Sequence, residues 1–144
     1  MGQAKGRFQR ERHLVVMSEP LLVLEDRWDP PDPNDVEEWP FVMPLHGLGQ
    51  IVGRQGLDPT TSRLVTFAMT AQVIWDVRWC DVASVDTCHN EVHLHLMSQK
   101  GTRIARSVLL PIRSINDVDR GWDLGEKILT EQWEEHVRRW RRGR

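Results

Sequence analysis

Apolar and polar residues alternate at every second position through much of the chain between Leu64 and Pro111. This period is typical of strands in a sheet that buries one face and exposes the other. The strands that it predicts are 64–70, 73–79, 91–97 and 103–111. Upstream, four glycines interrupt the apolar residues of 41–57, which predicts strand pieces joined by tight turns. We therefore expect an antiparallel sheet.

The same alternation assigns side chains to the two faces of each predicted strand. The strand 73–79 is expected at the centre of the core, and its inward residues are Val73, Trp75, Val77 and Trp79. The inward residues of the last two strands are Val92, Leu94, Leu96, Ile104, Val108 and Leu110. His93 and His95 alternate with the inward residues of their strand, so we expect both on its solvated side. Residues 99–102 predict the hairpin turn that joins these two strands.

A stripe of apolar residues at spacings of three and four predicts a helix that begins at Asn116 or Asp117 and runs to about Arg141. Acidic residues in its first turn and arginines in its last favour this assignment. Gly121 and Gly125 would each cost about 1 kcal/mol in a helix interior, so we expect them to allow close approach to the sheet. The predicted fold class is α+β: an antiparallel sheet or small β-barrel closed by one long C-terminal α-helix.

The 144 residues match one domain. Residues 1–13 are predicted to form a flexible basic arm, and 14–144 a single domain. Within that domain, 26–40 contains four prolines and six acidic residues, which predicts an extended surface loop. Residues 138–144 are predicted to form a basic C-terminal tail.

Charge is distributed unevenly around a net value of −2. Residues 1–13 carry +3 and 138–144 carry +5, so the body between them carries about −10. A body of this sign is not typical of a dedicated nucleic-acid binder, although the basic ends leave phosphate contacts open. No apolar run is long enough to span a bilayer, and the basic N-terminus lacks the apolar stretch of a signal peptide. We expect a cytoplasmic location, with Cys80 and Cys88 as free thiols.

Codon-related bias indicates the origin. Arginine greatly outnumbers lysine, tryptophan is frequent and tyrosine is absent, as expected where AT-rich codons are avoided. We infer a high-GC bacterium or one of its phages as the source.

A local stretch and the order of elements resemble the pleckstrin-homology-like superfamily, including its bacterial PH-like and GRAM-like members. The strand 73–79 leads into Trp79-Cys80-Asp81-Val82-Ala83-Ser84-Val85, which is similar to a corner that those domains place between strands. Two further strands and a capping helix follow, so the resemblance covers about 41–140. It implies recognition of a lipid headgroup or a peptide. The loop before Val73 lacks the basic cluster of phosphoinositide sites, which favours a peptide or protein.

One cluster of side chains is of the types that bind metal ions. Cys88, His93 and His95 offer thiolate and imidazole, which zinc favours. No second pair at a metal-ligand spacing completes a set, so we predict neither a metal nor a cofactor, while a metal-dependent hydrolase on this cluster stays a lesser alternative. The other groups available for a nucleophilic site are His46, Asp86 and His89. Nothing in their spacing orients a base toward a nucleophile, so we predict that the protein is not an enzyme.

These observations favour a non-enzymatic cytoplasmic protein-binding module of adaptor or regulatory type. Tryptophan and arginine are enriched at binding hot spots, and both are concentrated outside the predicted strands. The predicted contact residues are Trp28, Trp39, Arg138, Arg139, Trp140, Arg141 and Arg142. The expected partner is another protein or peptide, and a homodimer through the tryptophan stripe stays open. The alternative is an accessory protein that contacts nucleic acid or an anionic membrane surface through its basic termini.

Overall fold

The structure is a computed structural model that describes residues 28–143. The predicted arm 1–13, the first two residues of the loop 26–40 and Arg144 lie outside this range.

Six strands form one antiparallel sheet in which each strand pairs with its neighbours along the chain. They are β1 (Glu37–Leu45), β2 (Gly49–Leu57), β3 (Leu64–Trp75), β4 (Arg78–Cys88), β5 (Glu91–Met97) and β6 (Arg103–Pro111). Two helices follow, α1 (Ile115–Glu131) and α2 (Trp133–Arg142), and a short 3-10 helix at Pro33–Asp35 precedes the sheet. The predicted α+β fold, an antiparallel sheet followed by a C-terminal helical region, is confirmed. The order of elements is consistent with a PH-like arrangement.

The core lies between one face of the sheet and α1. Alternate residues of β3 are buried there, among them Phe67, Met69 and Ala71. A Cβ added to Gly121 would lie 2.5 Å from Val92, and one added to Gly125 would lie 2.8 Å from Val85. Both glycines therefore allow the close approach that the sequence predicts.

The helical region differs from the prediction of one long helix. Ser114 is the N-cap of α1, and Asp117 Oδ2 accepts hydrogen bonds from the backbone N–H groups of Arg113 and Ser114. The helix breaks at Gln132 before α2 begins. Just before the break, the hydroxyl of Thr130 donates to the carbonyl of Glu126 at 2.8 Å, a contact that tends to bend helices.

The predicted strand 73–79 is wrong, because a tight turn divides it. Asp76 and Val77 both have positive φ, at 55° and 56°, and connect β3 to β4. Val77 is 94% exposed. Trp79 pairs with Ile74, which places it on the face opposite Val73. The four residues expected on one buried face are therefore split between two faces and a turn.

Two further corrections concern β4 and β6. The segment 79–85, expected at a corner between strands, lies inside β4, where the register with β3 shifts beside Val82. In β6, Leu110 packs against the core as expected, but Ile104 and Val108 are exposed. The strand bounds 91–97 and 103–111 and a turn that includes 99–102 agree with the prediction.

The predicted loop 26–40 is shorter than expected, since Glu37–Pro40 belong to β1. Pro40 and Pro44 fit there because β1 is at one end of the sheet order, where a strand has ladder partners on one side only. Within residues 28–143, neither helix has the length and apolar content needed to cross a bilayer.

Candidate functional site

Three turns meet at one end of the sheet. They are the β1–β2 turn 46–48, the β3–β4 turn 76–77 and the β5–β6 turn 98–102. The antiparallel register places them there, and the N–H of Ile74 donates to the carbonyl of Leu48. The end of α2 reaches the same place, because the side-chain amide of Gln99 donates to the carbonyls of Trp140 and Arg141 at 3.2 and 3.0 Å. We call this region the turn end.

A groove of about 430 Å³ lies at the turn end, between the β1–β2 turn and α2. The apolar residues that line it are Leu48, Val73, Trp133 and Val137. The polar residues that line it are His46, Glu134, Arg138, Arg141 and Arg142. Trp133 packs directly on the backbone of Gly49, where a Cβ would overlap the indole ring. The glycine therefore lets the indole form part of the groove wall, and we call this cavity the turn-end groove.

Exposed apolar side chains continue from the groove. Leu48 is 67% exposed at its edge. Beside it, the Arg141 guanidinium lies 5.2 Å from the centroid of the exposed Trp75 ring, a cation–π distance. Trp75 in turn packs edge-on against Trp140, with 5.8 Å between ring centroids. This contact holds the Trp75 ring between a buried indole and an exposed cation.

The arginines of α2 divide into two groups. Arg138 and Arg141 are exposed; Arg138 pairs with Glu135 one turn earlier, and Arg141 covers Trp75. Arg139 is turned inward, and its guanidinium donates to the carbonyls of Val82 at 2.9 Å and Met97 at 3.1 Å. Burial lowers the pKa of Arg139 from its ordinary value, because desolvation disfavours the charged form. These two hydrogen bonds from Arg139 therefore hold α2 against the sheet.

Trp140 is a core residue, although the sequence places it among the contact residues. It is 1% exposed, and its indole N–H donates to the carbonyl of Ser98 at 3.2 Å. A side chain in this position supports Trp75 from below and does not face a partner directly.

The two tryptophans of the acidic segment are far less alike than the sequence indicates. Trp28 packs against the core, and its indole N–H donates to Asn90 Oδ1 at 2.8 Å. Trp39 is exposed on β1, opposite Gln55 of β2. Of the two, Trp28 acts as an anchor, and neither lines the turn-end groove.

The histidines of β5 are buried, so the expectation of a solvated face is wrong. His93 is 1% exposed and His95 is 3% exposed. Together with Asp86 of β4, they form a group whose ligand atoms all lie within 4.8 Å of one another. Cys88, which the sequence joins to these histidines, is exposed and is not part of the group.

Sequence reasoning missed two features of these sites. The turn at Asp76 and Val77 contains no glycine or proline, and its one turn-favouring residue, Asp76, lies within an apolar alternation that favours a strand. Asp86 lies in a segment whose alternation is obscured by the shifted register of β4. A usable signal was present at Leu48, since the glycines on both sides of it predict a turn, and turns lie at the surface.

Comparison of the chain with protein-family models, with curated proteins and with solved structures gives no match. The geometry of the described residues is therefore the basis for assigning a function.

Proposed function

We propose that this protein is a protein-binding module of adaptor or regulatory type, and that the turn-end groove takes a segment of a partner protein. The segment has an apolar side chain flanked by carboxylates. The observation that carries the proposal is the combination, in one groove, of an apolar lining with exposed arginines on the α2 side.

The apolar part of the groove supplies affinity. The exposed Leu48 and the partly buried Val137 offer apolar surface that a partner's leucine or aromatic side chain can cover, and Val73 and Trp133, each only 4% exposed, lie behind them. Burial of one such side chain contributes about 1.5–3 kcal/mol. This amount alone gives weak binding, so the neighbouring Trp75 has to contribute further contact area.

The charged part supplies selectivity. Arg138 and Arg141 lie on the α2 side of the groove, and Glu134 there is accompanied by His46, whose Nε2 is 3.5 Å from the Glu134 carboxylate. Arg142 is a third arginine in the lining, so the cations outnumber the carboxylates even when Glu135, the partner of Arg138, is counted with Glu134. This excess favours an acidic partner segment. Exposed ion pairs contribute only about 0.2–1 kcal/mol each, so they orient the segment more than they hold it.

The pleckstrin-homology-like resemblance supports the same class of function, because it implies recognition of a headgroup or a peptide. A groove with an apolar lining suits a peptide side chain better than a phosphorylated headgroup, which requires several phosphate contacts. Membership of that superfamily is part of this proposal.

The test is a selection of peptides from a random display library on the full-length protein, followed by fluorescence anisotropy with the enriched peptides. We expect peptides in which a leucine or aromatic residue is flanked by glutamate or aspartate. Leu48→Ser and Arg141→Glu should each weaken binding by about 5- to 30-fold, as expected for a loss of about 1–2 kcal/mol.

Matched controls come from β6. Val108→Ser and Arg106→Glu change an exposed apolar residue and an exposed arginine that lie further along β6 from the turn 98–102 and do not line the groove, so both should leave the affinity unchanged. Peptides without acidic flanks, or peptides that bind Leu48→Ser as tightly as the unmodified protein, would overturn the proposal. The proposal would also be overturned if no peptide bound, while a labelled single-stranded oligonucleotide or vesicles containing phosphatidylserine bound in a way that depends on Arg141. Strong salt dependence of that binding would show that the basic end of α2 contacts phosphate groups.

A further inference from the structure

A second cluster of polar side chains lies outside the turn-end groove, between β4 and β5. Asp86 of β4 pairs directly with His93 of β5, and His95 is two residues further along the same strand. Because side chains alternate along a strand, both imidazoles lie on one face, while Val92 points toward Gly121 of α1 on the other. The sheet register alone thus brings one carboxylate and two imidazoles together.

These groups are buried without complete hydrogen bonding. His93 and His95 are almost inaccessible to solvent. His95 Nδ1 and Asp86 Oδ1 are buried and have no hydrogen-bond partner among the described residues. An unsatisfied buried polar atom costs about 1–3 kcal/mol, so the unpaired carboxylate oxygen of Asp86 requires an explanation. A cation held between Asp86 Oδ1 and the Nε2 atom of His95 would give that oxygen a partner.

The distances suit a metal ion better than a hydrogen bond. His95 Nε2 and Asp86 Oδ1 are 3.4 Å apart. In a tetrahedral zinc site with metal–ligand distances of about 2.0–2.1 Å, adjacent ligand atoms are separated by about 3.3 Å. The third ligand atom, from His93, lies within 4.8 Å of the other two. The three residues therefore bring three ligand atoms close together.

Glu91 provides the outer contact that ligating histidines usually have. Its Oε1 lies 2.9 Å from His93 Nε2. A carboxylate that contacts a ligating imidazole fixes the orientation of the ring and raises its basicity. Glu91 is partly exposed, and it is therefore positioned between the buried cluster and solvent.

We propose that Asp86, His93 and His95 bind a divalent transition-metal ion of the zinc class. Two imidazoles and one carboxylate suit zinc, cobalt(II) and iron(II), and are a poor set for calcium or magnesium, which prefer oxygen ligands throughout. This site is independent of the protein-binding function proposed above, because it shares no residue with the turn-end groove.

The experiment uses untagged full-length protein, since a polyhistidine tag would itself bind zinc. The protein is stripped with a chelator and titrated with zinc chloride in a calorimeter, and cobalt(II) is added to a second sample for its visible absorption spectrum. We expect one ion per chain, ligand-field absorption typical of low coordination number, and a rise in melting temperature that depends on metal concentration.

Asp86→Asn and His95→Gln should each lower zinc affinity at least about 10-fold. His89→Gln is the matched control, because His89 lies in the exposed turn between β4 and β5 and is outside the cluster. Circular dichroism in the presence of chelator checks that each variant folds. If His95→Gln does not fold, the zinc affinity of the near-isosteric Asp86→Asn is the test of the proposal. Absence of zinc binding, or binding that Asp86→Asn retains at full affinity, would overturn the proposal.

Discussion

Replacement of Arg139 by methionine should destabilise the protein, although Arg139 lies in an arginine-rich segment that resembles a solvated helix end. The guanidinium donates to the carbonyls of Val82 in β4 and Met97 at the end of β5. Methionine preserves most of the apolar stem but supplies no donor, so both carbonyls lose this partner. The same change at Arg138 is the matched control, because that side chain is exposed and its ion pair among the described residues is with Glu135 of the same helix.

The magnitude follows from the two contacts. A hydrogen bond from a charged donor contributes about 1.5–3 kcal/mol, and desolvation of the guanidinium offsets part of the gain. The lowered pKa of Arg139 has this same desolvation as its cause. We therefore expect Arg139→Met to lower the free energy of unfolding by about 2–4 kcal/mol. Arg138→Met should change it by no more than about 0.5 kcal/mol.

Urea unfolding followed by tryptophan fluorescence measures both values. Arg139→Lys adds a further check, because an ammonium group keeps the charge but lacks the planar fork that reaches two carbonyls, so its free energy of unfolding should be intermediate. Equal stability of Arg139→Met and Arg138→Met would refute the reasoning. It would mean that the contacts of Arg139 with the sheet contribute no more than a surface ion pair.

Two further perturbations test the packing of the helices. Gly121→Ala should destabilise by about 1–2 kcal/mol in spite of its better helix propensity, because the new Cβ would lie 2.5 Å from Val92. In a Val92→Ala background the same change should be stabilising, and a stabilising effect in the unmodified protein would contradict the close approach. For His136, burial and then the charge of Arg139 lower the pKa from 6.5, so the unfolded chain takes up the proton first as pH falls. The contribution of neutral His136 to stability is complete above about pH 6.5 and is lost as pH falls from there through the folded-state pKa. The free energy of unfolding, measured with urea, should therefore fall less between about pH 7.5 and 5.5 in His136→Gln than in the unmodified protein. An equal fall in both proteins would exclude this role.

The turn-end groove contains residues that the sequence predicts and contacts that it does not. The sequence predicts the arginines of α2 as contact residues, and the three that line the groove, Arg138, Arg141 and Arg142, are exposed as expected. It also names Trp140 and Arg139, which face inward. A run of arginines around a tryptophan does not by itself reveal which members face the sheet; the burial of Trp133, His136 and Trp140 at spacings of three and four shows that Trp140 lies on the inward face of α2.

The histidine cluster shows the same limit for a sheet. The alternation of 91–97 places His93 and His95 on the face opposite Val92, and this assignment is confirmed by the register. Alternation cannot show whether that second face is solvated, and the burial of both rings was therefore missed. Asp86 enters the cluster only because β4 and β5 pair in one particular register.

The sequence by itself determined the class of fold, the bounds of β5 and β6 and the buried stripe of the helical region, since these depend on local periodicity and on glycines in a helix interior. Tertiary structure decided which residues meet. The groove between Leu48 and Arg141 and the grouping of Asp86 with His95 depend on contacts between segments that are separate in the chain. The division of 73–79 depends on a turn at Asp76 whose sequence signal is weak. Local patterns encode the period of one element, whereas a site requires the relative placement of several, which is set by strand register and packing.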